Sequence, residues 1–146
     1  MKYLDYVDLT LNNLQDICGE CVNRGTKYCI KAECNVGFSI TVLEYMKESQ
    51  RMILKDGMQL IPKEDTKFYD EKKVARSIAS ICKSCKECNE RHTESCVISL
   101  ARKSMEGLFL QDMLPYPGNI LSYFINVGKQ NQNFANSIME EFREIN

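Results

Sequence analysis

The chain has 146 residues, of which 44% are hydrophobic and 27% charged, as in an ordinary soluble globular protein. A formal net charge of −1 gives no electrostatic reason to expect nucleic acid or an anionic membrane as the main partner. No stretch reaches the roughly 18 apolar residues of a membrane span, and the acidic, amphipathic start lacks the apolar run of a secretory signal. We therefore expect a single cytoplasmic domain over residues 1–146 that contacts no membrane.

The first predicted element is a helix, because Val7, Leu11 and Leu14 recur at the spacing of one helix face. It runs into a cysteine-rich turn at residues 18–30, which read CGECVNRGTKYCI. A second apolar helix face follows this turn and consists of Phe38, Val42, Tyr45 and Met46. Residues 1–55 are thus predicted to form a first unit of helix, cysteine knuckle and helix.

Residues 56–72 are mostly charged, and Gly57 and Pro62 disfavour a continuous helix there, so we predict a linker. A second unit of the same kind is predicted over residues 73–114. Its first helix face is Val74, Ile78 and Ile81, its knuckle is residues 85–97, CKECNERHTESCV, and its second face is Val97, Ala101, Met105 and Leu108.

The C-terminal region, residues 115–146, opens with Pro115 and Pro117 and then returns to helical spacing. Gly128 and the polar run after it predict a break, which gives one or two helices. Their apolar positions are Ile120, Phe124 and Val127, and then Phe134, Ile138, Phe142 and Ile145. The last four either pack on the protein's own hairpins or join copies in a homo-oligomer. Because strand-like alternation is absent over any useful length, the predicted class is all-α.

The two knuckles share one pattern, Cys-x-Glu-Cys-x-x-Arg-x-Thr-x-x-Cys followed by Ile or Val, at a constant offset of 67 residues. A fixed offset with this many identities indicates an internal duplication. The matching cysteines are Cys18 with Cys85, Cys21 with Cys88 and Cys29 with Cys96. Cys34 and Cys82 are not duplicated, since Ala101 stands at the position matching Cys34 and Gln15 at the position matching Cys82.

Each half carries four cysteines within a short span, the number that a tetrahedral metal site or an iron–sulfur cluster needs. In a reducing cytoplasm this spacing favours metal ligation over disulfides or free thiols. The simplest assignment puts Cys18, Cys21, Cys29 and Cys34 in a first set and Cys82, Cys85, Cys88 and Cys96 in a second set.

The fourth ligand of each set leaves alternatives open. Cys34 and Cys82 can serve opposite sites in a swapped arrangement. His92, the one histidine, lies inside the second knuckle and can replace Cys82 as a ligand. Cys82 also follows the apolar residue Ile81, so it can be a core residue that binds nothing.

Zinc is the expected metal at both sites, because four thiolates in closely spaced pairs suit structural zinc. The alternative is an iron–sulfur redox protein, either an electron carrier or a sensor. Cys82, Cys85 and Cys88 look like the start of a bacterial ferredoxin motif, over seven residues only. Downstream, seven residues instead of three precede Cys96, and Val97 stands where the ferredoxin pattern has proline.

The other shared residues do not point to catalysis. Arg24 and Arg91 either offset the negative charge of the thiolates or form surface salt bridges, for example with Glu20. Thr26 and Thr93 are expected to bond backbone in the turns or to cap helices. Basic residues near the knuckles, including Arg102 and Lys103, are interpreted as a solvated helix face, with nucleic-acid contact as the weaker alternative.

An enzyme is not expected, since no glycine-rich phosphate loop occurs, and Glu140 and Glu141 lie on a helix expected to be exposed. The leading hypothesis is a small cytoplasmic protein in which zinc staples two duplicated hairpins for an interaction or regulatory role. Its expected partner is another protein.

Overall fold

The computed structural model describes residues 3–65, 67–87 and 95–145. Within these ranges the regular structure is helical, which confirms the predicted all-α class. The α-helices are α1 (Tyr3–Gly19), α2 (Asn35–Ser49), α3 (Glu71–Glu87), α4 (Val97–Glu106), α5 (Ile120–Gln130) and α6 (Gln132–Glu144). None of these helices is long and apolar enough to cross a membrane.

The long helices α1 and α3 pack against each other along their predicted apolar faces. Leu14 of α1 and Ile78 of α3 are fully buried in this contact layer, as the spacing of apolar residues in both helices requires. Between the two helices the Thr10 and Ser80 hydroxyls hydrogen-bond at 2.5 Å, so these buried polar groups are satisfied. The cysteine knuckles start where α1 and α3 end.

The helices α2 and α4 also pack against each other, and each begins directly after a cysteine. Cys34 is the N-cap residue of α2, and Cys96 is the N-cap residue of α4. Asn35 joins the two helices, because its side-chain amide donates to the Ser104 carbonyl at 2.7 Å. An antiparallel bridge between Ile53 and Cys96 holds the chain after α2 against the start of α4.

The C-terminal region forms two helices, with the break close to its predicted place. Gly128 lies inside α5, and the break falls at Asn131, whose side chain accepts the Phe134 N–H at 3.0 Å and so caps α6. Phe134 and Ile138 are fully buried, and α6 packs on α3. These two apolar residues are therefore covered within the chain itself.

The interpretation of several charged residues as solvated is wrong. Arg102 and Lys103 are 0% and 3% exposed, and Glu141 is 7% exposed. The physical reason is pairing, since Arg102 bonds to Glu106, and the Arg76 Nε donates to the Glu141 carboxylate at 3.3 Å. Charges spaced four residues apart look the same in a sequence whether the helix face is exposed or buried.

Candidate metal centres

The four cysteines of the first set line one cavity. Cys18 lies in the last turn of α1, Cys21 and Cys29 lie in the following loop, and Cys34 precedes α2. The cavity has a volume of about 390 Å³, and Cys29 is its exposed thiol while the other three are partly buried. The fold thus gathers at one place all four residues that the sequence predicts for the first site.

The loop between α1 and α2 is built from tight turns that place these cysteines. The Cys21 N–H bonds to the Cys18 carbonyl at 3.2 Å, and the Cys29 N–H bonds to the Thr26 carbonyl at 3.2 Å. Gly25 has a φ of +78°, a backbone conformation that favours glycine. The Thr26 hydroxyl donates to a backbone carbonyl three residues earlier at 2.7 Å, which confirms its expected role in the turn.

Cys34 is held by two hydrogen bonds at the start of α2. Its sulfur accepts the Gly37 N–H at 3.3 Å and lies 3.3 Å from the Tyr69 hydroxyl. Tyr69 has one hydroxyl hydrogen and donates it to Asp65 at 2.6 Å, so the Cys34 thiol is the donor toward Tyr69. A thiolate at this place would keep the Gly37 N–H and the favourable end of the helix dipole.

Asp65 organises the stretch that covers the start of α2. Its shielded carboxylate accepts hydrogen bonds from the Asn35 N–H at 2.9 Å, the Lys67 ammonium at 2.9 Å and the Tyr69 hydroxyl at 2.6 Å. Burial disfavours the charged form, but these bonds together hold the pKa of Asp65 below its ordinary value. Residues 56–72 also contain the short 3-10 helix Gly57–Leu60, which contacts α4, so part of the predicted linker is folded.

Three basic side chains line the same cavity, namely Arg24, Lys31 and Lys67. A Cβ atom added to Gly19 would lie 3.1 Å from Nη1 of Arg24, so the guanidinium covers the carboxyl end of α1. Glu20, the partner considered for Arg24, instead pairs with Lys73. Arg24 is therefore placed next to the cysteines and not in the salt bridge with Glu20.

Lys67 interacts electrostatically with two thiols of the first cysteine set. Burial works against its charge, but the bond to Asp65 and the nearby sulfurs of Cys34 and Cys21 leave the pKa of Lys67 raised. A partly buried cation therefore faces the first cysteine set.

The described cysteines of the second set lie in the core. Cys82 is 0% exposed, Cys85 6% and Cys96 8%, with the first two one turn apart on α3. Burial raises the pKa of the Cys82 thiol well above its ordinary value, so without metal it is protonated. Cys88 and His92, together with Arg91 and Thr93 of the second knuckle, lie outside the described residues.

A buried polar cluster that sequence reasoning missed lies beside this second set. Arg102 and Glu106 form an ion pair, and both side chains are 0% exposed. The Tyr123 hydroxyl donates to the same carboxylate at 2.6 Å, and its ring lies 5.1 Å from the Arg102 guanidinium carbon. Cys82 and Cys85 both interact electrostatically with Arg102, so a cation and two thiols share this part of the core.

The two sets can be compared by counting along each helix. Ile40 of α2 and Arg102 of α4 each lie six residues after the N-cap cysteine of their helix. Glu44 and Glu106 each lie ten residues after it. Ile40 and Glu44 both line the first cavity. Gln15, which matches Cys82 at the offset of 67 residues, lines that cavity as well. Cys82 of α3 and Arg102 and Glu106 of α4 therefore correspond to residues that line the cysteine cavity of the first set.

The described thiols of each set lie in the same region of the fold, but their side chains do not point at a common centre. Within residues 3–65, 67–87 and 95–145, no group of three or more His, Cys, Asp or Glu side chains is arranged to hold a metal ion. The seven described cysteines are free thiols. Metal ligation at either set would need the side chains to turn toward a common centre.

Comparisons with protein-family models, with curated proteins and with solved structures give no match to this chain.

Proposed function

We propose that this chain is a small metal-binding protein with two four-cysteine sites, each of which takes a structural zinc ion. Cys18, Cys21, Cys29 and Cys34 form the first site, and Cys82, Cys85, Cys88 and Cys96 form the second. One observation carries the proposal: four cysteines from two helices and the loop between them line a single cavity. Thiolates in pairs of this kind are the common ligands of structural zinc.

The placement of Cys34 and Cys82 supports the direct assignment over the swapped one. Cys34 lines the first cavity, whereas Cys82 lies one turn before Cys85 on α3. Cys82 also occupies the position of Gln15, which faces the first cavity. These positions favour Cys82 as a ligand over Cys82 as a core residue without one.

In this proposal one zinc ion staples each of two hairpins that arose by duplication. The helix pairs support it, since α1 packs on α3 and α2 packs on α4, as two related units facing each other would do. Each site ties the end of one long helix to the start of the next helix through its N-cap cysteine. Structural zinc of this kind contributes folding free energy.

The biological role that we propose is an interaction or regulatory module in a reducing compartment such as the cytoplasm, with another protein as the partner. The free state of the described thiols suits such a compartment. Burial of Arg102 and Lys103 removes two basic residues from any nucleic-acid surface, which weakens that alternative.

Removal of the metal tests the structural role. The zinc-loaded protein should bind about two zinc ions per chain, and a chelator such as EDTA should lower both its helicity and its melting temperature. A protein that loses its zinc with unchanged helicity and melting would contradict a structural role. A matched sample treated with zinc-saturated EDTA controls for the chelator itself.

An iron–sulfur redox protein is the second candidate, and the size of the first cavity favours it. A volume of about 390 Å³ lies in the range of ligand pockets and far exceeds the space of one ion. Strictly anaerobic purification and reconstitution with iron and sulfide would give a coloured protein with acid-labile sulfide if this candidate is correct. A colourless product would eliminate it.

A further inference from the structure

Arg102 has no contact with bulk water, and its neighbours accept hydrogen bonds from only part of its guanidinium group. Its side chain is 0% exposed, Nη1 bonds to Glu106, and Nη2 donates to the Ser99 hydroxyl over a long 3.4 Å. Its Nε lacks a hydrogen-bond partner among the residues that the structure describes. A guanidinium has five N–H donors, and an Nε–H group without an acceptor is costly in a place this buried.

Glu106 alone does not explain why an arginine is buried here. The carboxylate already accepts the Tyr123 hydroxyl at 2.6 Å and the Leu114 N–H at 2.8 Å. A buried ion pair also contributes little stability compared with apolar residues of the same shape. The Nε–H group of Arg102 without a partner therefore indicates a further hydrogen-bond acceptor.

The position of Arg102 identifies sulfur as that acceptor. Its register equivalent in α2, Ile40, lines the cavity of the first cysteine set. Cys82 and Cys85 both interact electrostatically with Arg102. The first set has cations at the exposed residues Arg24 and Lys31 and at the partly exposed Lys67, while the second set lies in the core.

We propose that Arg102 is the buried counter-ion of the second cysteine set and donates its free N–H groups to metal-bound sulfur. Four thiolates and one divalent zinc carry a net charge of about −2, which is unfavourable in the core unless a cation lies close. Arg102 supplies that charge, and Glu106 and Tyr123 hold its guanidinium in place. This inference rests on the proposed function, since it needs a metal at the second set.

The test uses a parent protein in which the first set is disabled by Cys18→Ser and Cys29→Ser, so that only the second set binds. Zinc affinity is measured by competition with a chromophoric chelator, and its pH profile is followed by cobalt(II) absorption. Arg102→Met alone would leave Glu106 buried without its cation. The main variant is therefore Arg102→Met with Glu106→Gln, which is neutral and keeps an acceptor for Tyr123.

We expect this double variant to bind zinc at least about tenfold more weakly than the parent, as for other lost contacts to metal ligands. Its cobalt binding should start at higher pH, because the thiolates lose the cation that favours them. Arg102→Lys should recover part of the affinity. The matched control, Arg76→Met with Glu141→Leu, removes another ion pair of the fold and should bind zinc like the parent.

Two results would overturn the proposal, and they differ. A parent that binds zinc, together with a double variant of equal affinity and equal pH profile, would show that Arg102 serves Glu106 alone. A parent that binds neither zinc nor cobalt would refute the second metal site itself and the inference with it. Circular dichroism of each variant at saturating zinc confirms that a loss of affinity is not a loss of fold.

Discussion

The two cysteine sets lie at different depths in the molecule. The first lines a surface cavity and includes the exposed thiol of Cys29, with Arg24 and Lys31 exposed nearby. The described members of the second are buried, and two of them, Cys82 and Cys85, interact with Arg102. The same spacing of cysteines can therefore lie at a partly solvated surface, where water screens charge, or in the core, where a charged group needs a partner.

The largest expected effect compares the equivalent residues Cys85 and Cys18 when each is replaced by serine. In the zinc-loaded protein, Cys85→Ser should lower the free energy of unfolding by about 3 kcal/mol or more, because it removes a core site and leaves buried polar groups unpaired. Cys18→Ser should cost about 1–2 kcal/mol, since its site is partly solvated. Urea denaturation with excess zinc measures the free energy of unfolding of both variants. Equal losses would show that the two cysteine sets contribute equally to stability.

A smaller effect is expected from Asp65→Asn, which tests the network that holds Tyr69 against Cys34. At neutral pH we expect a loss of about 2 kcal/mol in the free energy of unfolding, because the buried donors lose a charged acceptor. The folded-state pKa of Asp65 is lowered, so its stabilisation is present above the ordinary value of 3.8 and disappears as the pH falls through the lower folded value.

Denaturation of the wild type and of Asp65→Asn between pH 7 and pH 3 checks this sign. The stability difference between the two proteins should shrink as the pH drops. A difference that stays constant over this range would show that the Asp65 carboxylate contributes nothing specific through its charge.

Replacing Tyr69 by phenylalanine should cost about 1 kcal/mol, since one hydroxyl links Asp65 and Cys34. Tyr28, which lines the same cavity but is 67% exposed, provides the matched control. Thermal melting of Tyr28→Phe should be indistinguishable from that of the wild type. If the two variants melt alike, the hydroxyl of Tyr69 does not hold this wall of the cavity.

The smallest effect is expected at Arg24, the exposed cation next to the first set. Arg24→Met should weaken zinc binding at the first set by about two- to threefold at low ionic strength, because exposed charges interact weakly. In high salt this difference should vanish through screening. Competition titrations at two salt concentrations measure it, and a salt-independent loss would mean that Arg24 contacts a ligand directly.

The sequence predicts the apolar faces of the helices, but it does not predict which charged residues are buried between them. Val7, Leu11 and Leu14 predict the buried face of α1, because apolar periodicity reports burial directly. Arg102 and Glu106 are spaced like an ordinary exposed pair, and only the packing of α2, α3 and Tyr123 against α4 decides that they are buried. Local pattern carries no information on that packing.

The candidate sites show the same limit. Cys18, Cys21 and Cys29, which the repeated spacing groups together, line one cavity, because a short loop between two helices keeps its residues close. The N-cap positions of Cys34 and Cys96 break the constant offset of 67 residues, so counting from the knuckle alone does not align α2 with α4. The contact of Cys34 with Tyr69 joins residues 35 apart, which no local pattern indicates.

The presence of two separate zinc sites is tested by the zinc content of three proteins: the wild type, Cys18→Ser with Cys29→Ser, and Cys85→Ser with Cys96→Ser. Two independent sites predict about two zinc ions per chain in the wild type and about one in each double variant. A wild type without bound metal would contradict the account. So would a loss of all zinc in either double variant while its helices stay folded, because the cysteines would then form a single shared site.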